Sequence, residues 1–276
     1  GQGANTVITQ ISAEALGVPI EAFSILDCDT DITPDCGKTS ASRQTFITGM
    51  AAKLAGAKLR EKILRLANVS EKAKIIPAER KLLLNDKGDC RTIDLAAMDE
   101  NEFGYVVMAE ETFDPPTSTL DGKGQGNPYA VYGYGAQVVQ LSVDLNLGII
   151  SLDKITSAHD VGRAINPLLV EGQIEGGVAQ GIGLAIMEEF VPGKTENLHD
   201  YLIPTFGDMP DFENFILEIE EPLGPYGAKG LGEHVLIPTA PAILNAVRDA
   251  TGAVITELPA TPDKVLKAIL QLNGAG

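Results

Sequence analysis

Ala136-Gln137-Val138-Val139-Gln140-Leu141-Ser142-Val143, then Asp144-Leu145-Asn146-Leu147-Gly148, then Ile149-Ile150-Ser151-Leu152-Asp153-Lys154-Ile155-Thr156-Ser157-Ala158 is the stretch on which the fold turns. Apolar and polar residues intersperse on either side of a short Asp, Asn and Gly turn, which reads as a β-hairpin. Beyond Asn166-Pro167, residues 168–187 read as a helix so rich in Gly and Ala that propensity alone does not favour it at a solvent-exposed surface. Glycines in a helix let another backbone or a ligand come close, and tight packing on a sheet explains them as readily as a ligand does.

Outward toward the N-terminus, Val7, Ile11 and Leu16 lie at near-helical spacing and Gly17 follows as a stop, so Gly1-Gln2-Gly3 is a loop leading into a helix. Residues 23–26 read as a short strand. The polar run 27–39, with Pro34 and Gly37, excludes long regular structure, and Ser40 or Ser42 is the expected cap of a second helix reaching about Leu66. Residues 70–101 lack a clear period and are assigned a peripheral helix and hairpin. Pro115-Pro116, Gly122, Gly124 and Gly126 mark a turn-rich connection, and a subdomain boundary near 112–130 is compatible with one domain spanning 1–276. Toward the C-terminus, 212–219 reads as a strand, 239–250 as a helix, 254–257 as a strand and 263–270 as a last helix opened by Thr261-Pro262. Helices and strands mix without strict alternation, so the expected class is α+β, mixed sheets with packed helices.

A formal net charge of −17 argues against nucleic acid, which is bound through clustered Lys and Arg that this chain lacks. An anionic cofactor is still compatible, provided backbone N–H groups and neutral amides supply the donors. Cys28, Cys36 and Cys90 match neither a disulfide framework nor paired zinc or iron–sulfur spacing, and are expected as unpaired thiols in a reducing compartment. With no apolar run of membrane-spanning length and no basic segment followed by an apolar one, the expectation is a cytoplasmic protein without a membrane partner. The chain opens at Gly1 directly in a loop of functional character, and is expected to be a fragment or a split subunit.

Three segments pair backbone N–H groups with a neutral amide side chain: Gly1-Gln2-Gly3, Ser40-Ala41-Ser42-Arg43-Gln44 and Gly172-Gln173-Ile174-Glu175-Gly176-Gly177. Amides both donate and accept, and helix starts favour phosphate, so this chemistry suits a pterin or a nucleotide. Any one alone is more often an ordinary turn. A fourth segment, Gly227-Ala228-Lys229-Gly230-Leu231-Gly232-Glu233, ends in a carboxylate and runs into the largely apolar His234-Val235-Leu236-Ile237. A carboxylate beside an apolar wall and an anionic cofactor is disfavoured as an anion, which would raise its pKa toward the range of a useful base. By itself such a loop is more often a surface turn.

Ser157-Ala158-His159-Asp160-Val161-Gly162-Arg163-Ala164-Ile165-Asn166-Pro167, the Gly172-to-Gly176 segment, Lys229-Gly230-Leu231-Gly232-Glu233 and Leu258-Pro259-Ala260-Thr261-Pro262 occur in this order. The series resembles the second molybdopterin-binding domain of the molybdenum hydroxylase large subunits, the xanthine dehydrogenases, aldehyde oxidases and aldehyde oxidoreductases. The resemblance covers essentially the whole chain and is weakest across 70–101. It implies that Gly1, Gln2, Gly3, Ser40, Ala41, Ser42, Arg43, Gln44 and Gln173 contact the cofactor, with Ser40 and Ala41 bordering substrate and metal, and that Glu233 is the general base. It further implies oxidative hydroxylation of an aldehyde or N-heteroaromatic substrate with water as oxygen source. The molybdenum is held by the pyranopterin dithiolene, which agrees with the lack of a His and Cys ligand cluster and with no protein metal ligand.

The resemblance also implies a molybdenum-molybdopterin cofactor, as such or as the cytosine dinucleotide, with 2Fe-2S and FAD on partner domains or subunits. The N-terminal half of the molybdenum domain, the iron–sulfur and flavin partners, a small-molecule substrate and an oligomeric full enzyme are expected; an isolated piece is expected to be inactive. A non-catalytic molybdenum-cofactor carrier or assembly protein is the alternative, against which Glu233 weighs. A nucleotide-binding protein is disfavoured because neither glycine-rich phosphate fingerprint occurs in a suitable setting. His159 is read as a structural, hydrogen-bonded histidine, Arg163 as a brace, Lys229 as either cofactor-facing or solvated, and Asp27, Asp29, Asp31 and Asp35 as a solvated loop lacking the pattern of a calcium site.

Overall fold

The computed structural model describes residues 1–272 and 274. The chain divides into two compact units, one made of Gly1, 3–131 and 220–230, the other of Gln2, 132–219 and 231–276.

The first unit is built on two helices, α1 (Ala4–Leu16) and α2 (Gln44–Ala67). They pack closely because α2 carries glycines where α1 crosses it: a Cβ on Gly49 would meet Ile11, and one on Gly56 would meet Ser12 and Ala15. Both residue series rise together, so the helices run parallel and both start at the same end of the unit. Gly17 ends α1 in the left-handed conformation, as expected, and Asn68 does the same for α2. Residues 70–101 are not a helix and hairpin. They form an antiparallel meander of β1 (Lys74–Ala78), β2 (Lys81–Asp86) and β3 (Asp89–Asp94). The second turn, Lys87-Gly88, has positive φ at both residues, as a two-residue hairpin requires. Ile75 and Leu84 pair across β1 and β2 and are buried with Leu16, Ile63 and Leu64. Residues 23–26 are not a strand: nothing pairs with them among the described residues, and Leu26 is exposed.

The second unit holds the hairpin read from sequence, β4 (Gly135–Val143) and β5 (Ile150–Asp160), joined by β6 (Asp211–Leu217) parallel to β5. The order is β4-β5-β6, with α3 (Pro167–Ile186) in the crossover. Asn166 caps α3 by accepting from the Leu169 N–H, and Pro167 occupies its first position. Ile155 of β5 is buried with Ile174, Val178 and Ile182 of α3, and with residues of the short α4 (Glu233–Leu236) and of α5 (Thr239–Thr251). The last helix, α6 (Pro262–Leu272), buries Val265 and Ile269. Residues 254–257 are irregular rather than a strand; the neighbouring Ala253 and Ala260 are buried against α6. The two sheets, one antiparallel and one mixed, with packed helices make the fold α+β. Among the described residues no helix is long and apolar enough to cross a membrane.

Candidate functional site

In the first unit the two helix starts share an unusual property. Gly3 precedes α1 with φ 78°, Arg43 precedes α2, and among the described residues neither helix has a side-chain cap. The N-cap position of α2 therefore falls to Arg43, not to Ser40 or Ser42 as expected. Ala41 and Ser42 instead take left-handed backbone, φ 56° and 51°, and the helix begins two residues later. The first N–H groups of a helix have no intrahelical partner and suit an anionic acceptor. Arg43 is engaged elsewhere, donating to the Cys36 and Lys38 carbonyls at 3.2 and 3.0 Å, so it braces the preceding polar loop. Asn5 ties the same loop to the first turn of α1 through Asp27.

The 220–230 segment lies along α2. Pro225 meets Gly49, Tyr226 lies under the Lys53 ammonium at 4.5 Å from the ring centroid, and Gly230 rests on Ser42. The segment therefore runs toward the start of α2 and delivers Lys229 and Gly230 there. A Cβ on Gly230 would fall within the Ser42 carbonyl. Lys229 is 8% exposed, not solvated.

Gln173 and Glu233 are both in the second unit. Gln173, Gly177 and Gly181 follow at i, i+4, i+8 and so line one stripe of α3. A Cβ on Gly177 would meet Val235 at 2.9 Å, and one on Gly181 would overlap Thr239. These glycines are thus explained by the close approach of α4 and α5, while Gly172 and Gly176 face open space. Gln173 is the next member of the stripe, one turn before the level at which α3 meets Val235. Glu233 is the first residue of α4 and exposed, so its own unit does not supply the apolar wall expected from the sequence.

α4 is anchored from below by Gln137, which donates to the Val235 carbonyl at 2.9 Å and accepts from the Thr239 hydroxyl at 2.8 Å. Sequence reasoning passed over Gln137, although it stands in phase with Val139, Leu141 and Val143 on the inward face of β4. A polar residue at an inward position of an alternating strand was the available signal. His159 is not the hydrogen-bonded structural histidine expected: it is fully buried at the end of β5, and among the described residues neither ring nitrogen has a partner. Its ring lies over Gly135 and 5.5 Å from that of His234. Burial, and then the proximity of His234, push its pKa down to about 4.

Of the other residues named from sequence, Gly1 and Gln2 are exposed and Gly3 partly buried; Ala41 is exposed, and Ser40, Ser42, Arg43, Gln44 and Gln173 are partly buried. Gln44 accepts from the Thr48 hydroxyl. The four aspartates of the 27–39 run and all three cysteines are exposed, the cysteines unpaired.

Two units, one in which the N-caps of both helices make no side-chain cap and the other with a stripe of α3 ending near an exposed glutamate, make up this α+β chain. Residues 1–210 match the family described as the molybdopterin cofactor-binding domain. The chain belongs to that family, the cofactor-binding domain of the molybdenum hydroxylase large subunits. It is 36% identical over 280 residues to a putative xanthine dehydrogenase molybdenum-binding subunit of Escherichia coli, covering 96% of this chain and 36% of that protein. It is 32% identical to an aldehyde oxidoreductase of Megalodesulfovibrio gigas, covering 98% of this chain and 28% of the relative. The solved aldehyde oxidoreductase of Desulfovibrio gigas superposes with a TM-score of 0.81 at 31% identity, over 97% of this chain and 28% of that one. The chain spans about a third of the length of the relatives it matches.

Proposed function

We propose that this chain is the second molybdopterin-binding domain of a molybdenum hydroxylase that hydroxylates an aldehyde or an N-heteroaromatic ring with oxygen from water, and that Glu233 is its general base. The observation that carries the reading is the pair of parallel, uncapped helices α1 and α2 beginning at one end of the first unit. Their dipoles add, and helix N-termini bind anionic oxygens through backbone N–H groups without formal cations, which suits a cofactor of high negative charge in a chain of net charge −17.

Gly1, Gln2 and Gly3 present donors at the start of α1, and Ser40, Ala41, Ser42, Arg43 and Gln44 present them at the start of α2. The Gln173 amide both donates and accepts, matching the heteroatom edge of a pterin. The cofactor, as molybdopterin or its cytosine dinucleotide, supplies the redox chemistry and the metal that activates water. Glu233 would take the proton of the water whose oxygen goes to an electron-poor carbon of the substrate, and the two electrons of the C–H bond that this replaces would go to the cofactor. Anchoring of α4 by Gln137 and Val235 limits the positions this carboxylate visits. The remaining half of the molybdenum domain, a 2Fe-2S partner and an FAD partner complete electron transfer in this reading.

Glu233→Gln in the full-length enzyme tests it. Loss of a general base costs about 10²–10⁴ in rate. Turnover should fall by that factor while molybdenum and pterin content stay at the wild-type level. Undiminished turnover in a fully loaded variant refutes the assignment. A carrier without catalysis would instead show cofactor release to an acceptor protein that Glu233→Gln leaves unaffected.

A further inference from the structure

The inward face of the second unit's sheet carries a polar row where an apolar one is the rule. Register places Gln137 of β4 beside Ser157 of β5, and Ser157 beside Asn214 of β6, so three polar side chains cross the sheet together. On one side the adjoining row is Val139, Ile155 and Phe212, all part of the apolar core; on the other it is Gly135, His159 and Ile216. Both polar atoms of the Gln137 amide have partners, in α4 and at Thr239. The rest of the row is not satisfied. Among the described residues the Ser157 hydroxyl, the Asn214 Oδ1 and both ring nitrogens of His159 are buried without a hydrogen-bond partner, and Ser157 and His159 are fully inaccessible. Asn214 Nδ2 does have a partner, donating to Glu175 of α3 at 3.3 Å.

Each buried polar atom left unpaired costs about 1–3 kcal/mol, and native folds rarely keep several side by side. Neighbouring strands lie about 4.7–4.9 Å apart, so side chains at paired positions on one face are within reach of a single bridging molecule. Ser157 offers a donor and an acceptor, Asn214 an acceptor, and neutral His159 one donor and one acceptor. A ligand complementary to this set must be small, uncharged, and able to donate and accept at once.

We infer that Ser157, Asn214 and His159 enclose an internal hydration site between the sheet and helices α3 and α4, in which ordered water bridges Ser157 to Asn214 and extends to His159. The water accepts from the Ser157 hydroxyl or the His159 N–H and donates to the Asn214 carbonyl oxygen, meeting the two to four partners that a buried water requires. It completes the layer on which α4 rests, the polar row being held on one side by Gln137 and on the other by solvent trapped within the fold. The inference depends on the sheet register and on the unpaired buried atoms of the row, and stands whether or not Glu233 is a base.

Ser157→Ala in the full-length protein separates a wet row from a dry one by the sign of its effect. In a dry row the substitution removes an unsatisfied hydroxyl and raises the melting temperature. Around a bridging water it removes a partner and lowers it, by roughly 2–4 °C for a unit of this size. A cycle with Asn214→Leu adds a second criterion. A bridging water makes the two substitutions non-additive, because the first already loosens the water that the second would release. Crystals of the full-length protein diffracting well enough to show ordered solvent should have density within hydrogen-bonding distance of both Ser157 Oγ and Asn214 Oδ1. Stabilisation by Ser157→Ala, additivity in the cycle, or a well-ordered row with no such density each overturns the inference. Because none of these readouts measures turnover, failure of the Glu233 assignment leaves them unchanged.

Discussion

Four of the five glycines of α3, at 172, 176, 177 and 181, allow one substitution to be made four times in one helix with opposite expected signs. Glycine to alanine in a helix interior is worth about 0.8–1 kcal/mol in favour of alanine wherever the new methyl meets nothing. Gly172 and Gly176 face open space, so Gly172→Ala and Gly176→Ala should stabilise the fold by about 0.5–1 kcal/mol. At Gly177 the Cβ would stand 2.9 Å from Val235 Cβ and 3.1 Å from its Cγ1, tighter than a van der Waals contact, and Val235 is fully buried. Overpacking of this kind costs about 1–3 kcal/mol, so the helix gain is cancelled and Gly177→Ala is expected to lose about 0–2 kcal/mol. Gly181→Ala is worse. Its methyl would overlap Thr239, whose hydroxyl donates to Gln137, and pushing that side chain aside also strands the buried amide oxygen. Strain plus a lost buried hydrogen bond, less the helix gain, leaves a net loss of about 2–4 kcal/mol. The assay is denaturant unfolding of the full-length variants, with hydrogen exchange of the α3 and α5 amides reporting on this unit alone. Four changes of the same sign would refute the helix–helix contact that fixes the level of Gln173 and the position of α4.

Gly230→Ala should lower cofactor content as well as stability, since its methyl meets backbone rather than a movable side chain and must displace the Ser42 turn; metal analysis of the purified protein checks this. Arg60→Met removes a guanidinium that donates to the Leu16, Glu71 and Ala73 carbonyls at 2.9, 3.2 and 2.7 Å, and is expected to destabilise the first unit by about 2–4 kcal/mol in thermal or denaturant unfolding. His159 has a folded pKa pushed down to about 4 from 6.5, so the unfolded chain binds the extra proton between those values; stability should be full above pH 6.5 and fall as the pH drops toward 4, by on the order of 2–3 kcal/mol. Unfolding measured from pH 7 to 4 should show this loss, and His159→Asn should flatten it. Gln137→Leu frees the Val235 carbonyl and the Thr239 hydroxyl, and should reduce kcat with metal content retained.

Sequence legibility follows from where each signal resides. The β4–β5 hairpin, α1, α3, α5 and α6 were readable because their periodicity, caps and stops are local: Gly17 after α1, Asn166-Pro167 before α3, Pro262 at the start of α6. Residues 23–26 and 254–257 have strand-like composition, but a strand exists only through a partner, and none is at hand among the described residues. The meander at 70–101 was obscured because much of it is solvent-facing: β3 alternates almost nothing, with Cys90, Arg91 and Thr92 all exposed. The candidate site was legible as an ordered set of segments, not as geometry. That Gly177 and Gly181 serve helix packing, or that Gln137 anchors α4 from 98 residues away, depends on tertiary register that no window of sequence contains.

That Arg43 and not a serine stands at the N-cap of α2 bears on function. A serine at the position before α2 would satisfy one of its first N–H groups and stabilise the helix by about 1 kcal/mol. This chain has Ser40 and Ser42 near that position but starts the helix after Arg43; it places Ala41 and Ser42 in left-handed backbone, at a cost of order 1–3 kcal/mol each. Such strain persists only where the surroundings hold it, and here Gly230 packs directly on the Ser42 carbonyl while Arg43 is fastened to the Cys36 and Lys38 carbonyls. The result is a helix start whose N-cap residue makes no side-chain cap, beside the start of α1, whose N-cap makes none either. A turn serving only to reverse the chain has no need of two strained residues and a glycine clamp. Restoring a cap therefore discriminates between the two explanations: if Arg43→Ser raises the stability of the cofactor-free protein while lowering its affinity for molybdopterin, the open N–H groups are there for the ligand, and if both properties move together the turn is merely structural.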